Sequence, residues 1–76
     1  MTKKQIWQTI ALDLKRAANY MFMGRHEQAQ YYLVEAKSLF SGQVASKKIK
    51  KIERYIKFDG NPEDLLLSGS LILTRV

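Results

Sequence analysis

The chain has no cysteine, a single proline, four glycines among 76 residues and few acids, seven against 13 lysines and arginines, giving a formal net charge of +6. Without cysteine there is no disulfide framework, no thiolate zinc site and no cysteine nucleophile. No apolar run approaches the ~20 residues that a membrane span requires, so the chain is not expected to cross a bilayer. The opening segment Met1-Thr2-Lys3-Lys4-Gln5-Ile6 is basic, but polar residues at Gln8, Thr9 and Asp13 break the ~7–15 residue apolar stretch of a secretory signal. It reads as a mature cytoplasmic start.

What is present is 46% hydrophobic and 26% charged, close to a globular average, and the length fits one domain spanning residues 1–76. A chain this short buries only about 60% of its unfolded-state surface, so its folding margin is thin and self-association is expected to help.

Apolar residues recur at steps of three and four from Lys3 to Met23, through Ile6, Trp7, Ile10, Ala11, Leu14, Ala17, Ala18 and Met21. That spacing predicts a long amphipathic helix ended by Gly24, which can take the left-handed conformation without a Cβ penalty. Ala29, Tyr32, Leu33, Ala36 and Phe40 predict a second helix over Glu27–Phe40, stopped in the same way by Ser41-Gly42. Ala45, Ile49, Ile52 and Ile56 predict a third over Gln43–Phe58.

Asn61-Pro62-Glu63-Asp64 combines a capping side chain, proline where a missing N–H costs nothing, and acids at the positive end of a helix dipole. A fourth helix is expected from Pro62. Its continuation from Leu71 to Val76 fits either helix or a short strand, because Ser68-Gly69-Ser70 weakens a helix there. The expected fold is all-α: a small antiparallel bundle of four helices, or of three helices plus an apolar C-terminal segment. Its core should draw on Ile6, Ile10, Leu14, Ala18, Ala29, Leu33, Ala36, Phe40, Ile49, Ile52, Ile56, Leu65 and Ile72.

The third segment is the densest in charge, with Lys47, Lys48, Lys50, Lys51, Arg54 and Lys57 against one acid, Glu53. On a helix, Lys47, Lys50, Lys51, Arg54 and Lys57 fall within an arc of roughly 120° opposite the isoleucines. Such a ridge attracts an acidic protein surface, and it equally attracts phosphates, whose neutralisation releases condensed counterions. A solvated face that keeps the protein soluble is the plainer alternative. As a helix-turn-helix, Leu39 to Ile49 gives half a motif: Val44, Ile49 and Ile52 suit the second helix, while Leu39 stands where a small residue permits close approach.

Residues 17–40 include Tyr20 before the turn, Gly24 in it, and Ala29 and Ala36 seven apart as small residues between paired helices. In these features the segment resembles the later part of a single tetratricopeptide repeat. The resemblance implies a helical hairpin serving as a protein-binding surface. The chain departs from that pattern at Asp13, where tryptophan is usual, and at Arg16, Ala17 and Ser41, where leucine, glycine and proline are usual.

His26 beside Glu27 has no second histidine or cysteine to complete a ligand set, so no metal site, cofactor or catalytic group is expected. Tyr20, Phe22, Met23, Tyr31 and Val34 include side chains off the best core faces and form a candidate apolar contact patch near the first turn. Leu67, Leu71, Leu73 and Val76 are candidates for self-association into a homo-oligomer, because a helix apolar around most of its circumference needs cover on several sides. Thr74-Arg75-Val76 also has the form of a peptide that adds a strand to a PDZ groove. The function expected is a non-enzymatic adaptor or regulator that binds an acidic protein partner through the basic third helix. The alternative is a nucleic-acid-binding regulator using the same lysines, as a dimer.

Overall fold

Thr2 opens the first helix with a reciprocal cap. Its Oγ1 accepts from the Gln5 N–H at 3.2 Å, and its own N–H donates to Gln5 Oε1 at 2.9 Å, so two backbone donors that the helix cannot satisfy internally find partners. The computed structural model describes residues 2–42, 50, 55, 56, 58 and 61–75, and within them three helices: α1 (Lys3–Phe22), α2 (His26–Ser41) and α3 (Pro62–Arg75). No strand occurs among the described residues.

Gly24 ends α1 as its sequence position implies. Its φ is +76°, its N–H donates to the Met21 carbonyl at 3.1 Å, and the Arg25 N–H reaches back to the Tyr20 carbonyl at 2.8 Å. This pair of bonds is the Schellman closure. Arg25 then serves both helices, because its carbonyl accepts the first bond of α2, from Ala29 N–H at 3.1 Å. The reversal is therefore complete within three residues, which sets α1 and α2 side by side.

Gly42 behaves differently from the expectation. Its φ of −84° is right-handed, so Gly42 is not itself the left-handed residue that Gly24 is, and its N–H donates to the Ser38 carbonyl at 3.3 Å.

At the third boundary, Asn61 Oδ1 accepts from Glu63 N–H at 3.0 Å and the Asn61 carbonyl accepts from Leu65 N–H at 3.1 Å. Pro62 occupies the first helical position, and Glu63 and Asp64 lie in the first turn. The helix continues through Ser68-Gly69-Ser70 to Arg75, which decides the C-terminal segment in favour of helix. Val76 lies outside the described residues.

The core sits around α1, which packs against both α2 and α3 while those two scarcely meet. Ile10, Leu14, Leu65 and Ile72 are its largest fully buried apolar side chains, each stabilising by about 1.5–3 kcal/mol relative to exposure. Ala17, Ala18, Ala29 and Ala36 are buried with them, small enough for helices to approach closely. Trp7 near the start of α1 meets Phe40 near the end of α2 at 5.6 Å, while Tyr20 near the end of α1 stacks on Tyr32 in the first half of α2 at 5.6 Å. Those two contacts fix the hairpin as antiparallel. Ile6, Phe40 and Ile56 are half-buried against the core rather than within it.

Much of the expected third helix, with Ile49 and Ile52, lies outside the described residues. Of its described members, Lys50 is helical, Tyr55 is in a 3₁₀ turn, and Ile56 and Phe58 are in no regular element, so the helix expected to reach Phe58 stops short of it.

Candidate interaction surface

The basic segment is moored to the bundle by its apolar residues. Phe58 meets Phe40 at a ring separation of 5.1 Å, Ile56 and Phe58 pack against the core, and the Ser68 hydroxyl of α3 donates to the Tyr55 carbonyl at 3.4 Å. Lys50 is exposed on a helical backbone. Its companions in the expected ridge, Lys47, Lys51, Arg54 and Lys57, lie outside the described residues.

The apolar candidates divide into two sets. Phe22, Met23, Tyr31 and Val34 are each more than half exposed, Tyr31 most of all at 65%. Phe22 and Met23 sit at the end of α1, and Tyr31 and Val34 lie one turn apart on α2, so two stretches of helix present them. Tyr20 does not belong with them. It is half-buried, its ring stacked within 4° of parallel on Tyr32, which in turn meets Tyr31 edge-on at 5.3 Å. The guanidinium of Arg16 lies 5.7 Å from the Tyr32 centroid, adding a cation–π contact to the cluster. Tyr32 therefore links the exposed Tyr31 to the half-buried Tyr20.

On α3, Leu67 and Leu73 are exposed, as a self-association surface requires. Leu71 instead packs against the core, and Val76 is not among the described residues. Leu71 and Leu73 lie about 100° to either side of the buried Ile72, so helix rotation alone does not separate them, and Leu73 is only 37% exposed against 58% for Leu67.

Two features escaped the sequence reading. Leu12 is exposed in the middle of α1, an apolar residue on the polar side. Asp13, beside it, is fully buried, and neither carboxyl oxygen has a hydrogen-bond partner among the described residues. Burial first, and then the neighbouring Glu35 carboxyl on α2, raise the Asp13 pKa from 3.8 to about 7, against the lowering influence of Arg16, whose Nη1 is 3.8 Å from Oδ1. A polar residue inside a regular apolar spacing gives no warning of this, because periodicity places faces but not their edges. The departure from the repeat pattern at Asp13 was the available signal.

His26 is exposed at the start of α2, and no group of three or more histidine, aspartate or glutamate side chains suited to a metal ion occurs among the described residues. No described helix is long and apolar enough to cross a membrane. Compared with family models, with curated proteins and with solved structures, the chain finds no match in any of the three.

Proposed function

We propose that this chain is a small non-enzymatic interaction module, an adaptor or regulator acting in the cytoplasm, that binds an acidic surface on a partner protein through Lys47, Lys50, Lys51, Arg54 and Lys57. The observation that carries this reading is the exposure of Phe22, Met23, Tyr31 and Val34 on a protein with a strongly basic segment. Protein interfaces take aromatic and methionine side chains into their centres and keep charge at their rims, whereas phosphate backbones have little use for exposed valine or methionine. Support also comes from the hairpin's resemblance to a tetratricopeptide repeat, whose members present helical surfaces to proteins. Within this reading, the basic segment supplies the remaining helix of a four-helix bundle, the third in chain order and ending before Ile56, and the exposed leucines of α3 pair two copies. Attraction between unlike charges gives fast, salt-sensitive encounter, and the apolar side chains give affinity and specificity.

The test measures fluorescence anisotropy of the full chain with three probes at about 50 and 200 mM salt: an acidic peptide carrying leucine and aromatic anchors, single-stranded DNA, and double-stranded RNA. The peptide should bind most tightly at the higher salt, and Tyr31→Ala with Val34→Ala should weaken it about tenfold, a loss of about 1.4 kcal/mol. Tighter binding of either nucleic acid at about 200 mM salt, indifferent to those two substitutions and lost with Lys50→Ala and Arg54→Ala, would transfer the ridge to phosphates.

A further inference from the structure

Asp13 stands where the seam between α1 and α2 closes. Its side chain is 1% exposed, and neither oxygen has a hydrogen-bond partner among the described residues. An ionised carboxylate in that position forfeits its hydration and receives little in return, so the cost falls on whichever state of the protein must hold it there. Among the described residues, the charges acting on it are Glu35, from α2, and Arg16, from its own helix at 3.8 Å. Arg16 offers only partial relief, because its side chain is 54% exposed and its guanidinium is also turned over the Tyr32 ring. The α3 helix meets α1 elsewhere, where Gly69 lies against Ala11 and Lys15, and Ala11 is about 200° around the helix from Asp13. Among the described residues, buried Asp13 and half-buried Glu35 thus act on each other where α1 meets α2, with one solvent-exposed cation beside them.

We propose that the Asp13–Glu35 carboxyl pair is a proton-sensitive latch in the α1–α2 hairpin: a proton held on Asp13 closes the seam, and its loss loosens it. With the proton present, Asp13 is neutral, the repulsion with Glu35 disappears, and the pair has a donor to place between its oxygens. With the proton lost, two negative charges share the seam and the hairpin opens more readily. The consequence reaches the surface, because α2 carries Tyr31 and Val34 on its outer side. The latch stands independently of any partner assigned to that surface.

The direction with pH follows from linkage. In the unfolded chain Asp13 titrates at its ordinary value of 3.8, whereas in the folded protein it titrates at about 7. Between those values the folded state binds more protons, so stability falls as pH rises. The contribution is fully present below about pH 4 and is lost as pH passes through 7.

The experiment uses the full chain. The Asp13 carboxyl carbon is followed by NMR from pH 3 to 9, and urea unfolding is measured at pH 5 and 8 for the wild type, Asp13→Asn and Glu35→Gln. The Asp13 resonance should titrate well above the ordinary carboxylate range, close to neutrality. The wild-type folding constant should fall about tenfold or more from pH 5 to 8, and Asp13→Asn should remove that fall. Glu35→Gln should lower the midpoint while leaving the part due to burial. An Asp13 midpoint near 4, or an Asp13→Asn protein with the wild-type pH dependence, overturns the latch. The titration of the wild type decides the matter even if a variant does not fold.

Discussion

A Cβ added at Gly69 on α3 would stand 2.9 Å from the carbonyl oxygen of Ala11 on α1 and 3.1 Å from the Lys15 Cγ. The two backbones approach each other more closely than any side chain at that position would permit. The Ser-Gly-Ser stretch that weakens α3 as an isolated helix is therefore the surface by which α3 reaches α1, with Ser68 buried beside it.

Gly69→Ala separates the two roles of that glycine. Alanine favours an isolated helix by about 1 kcal/mol, but overpacking against an unyielding backbone carbonyl costs about 1–3 kcal/mol. The Lys15 stem can swing aside, whereas the Ala11 carbonyl cannot without moving α1. Urea unfolding should show a net loss of up to about 2 kcal/mol, and a stabilised Gly69→Ala protein would mean that the helices are not in that close contact.

The mooring of the basic segment is tested at Phe58. Its ring meets Phe40, which in turn meets Trp7, so the segment is tied through one aromatic chain to the start of α1. Phe58 is half-buried, and truncating it should cost less than a full core deletion, about 1–3 kcal/mol. Phe58→Ala should lower the urea midpoint and shift Trp7 emission, while exposed Lys50→Ala changes stability by no more than about 0.5 kcal/mol. Equal effects of the two substitutions would mean that Phe58 contributes no anchorage.

These contacts also explain which parts of the molecule the sequence made legible. The period of Ile10, Leu14, Ala18 and Leu33 identified the core faces, and Gly24 and Asn61-Pro62 marked boundaries, because each depends on residues adjacent in the chain. Thr2-Lys3-Lys4-Gln5 carries an equally local capping signal that a search for apolar spacing passes over. Gly69 and Asp13 were not legible, since one owes its role to a carbonyl 58 positions away and the other to a carboxyl on a different helix. The exposed set at Phe22, Met23, Tyr31 and Val34 followed from helix faces, but the removal of Tyr20 and Leu71 from their surfaces required the partners that cover them.

Self-association can be tested without disturbing the core, and the structure dictates where. Removing the chain beyond Gly69 would delete the fully buried Ile72 and unfold the bundle, which says nothing about a dimer. Leu67 and Leu73 are exposed, so Leu67→Gln with Leu73→Gln should leave the helical content intact and stability within about 1 kcal/mol of the wild type. If α3 pairs two copies, sedimentation equilibrium should give a dimer mass for the wild type and 8.8 kDa for the double variant. The wild type should also melt at a temperature that rises with protein concentration, because dissociation is coupled to unfolding, and the variant should lose that dependence. A wild type that sediments at 8.8 kDa across the concentration range would remove α3 as an interface. It would then leave Leu67 and Leu73 as solvated leucines of the kind that most protein surfaces carry.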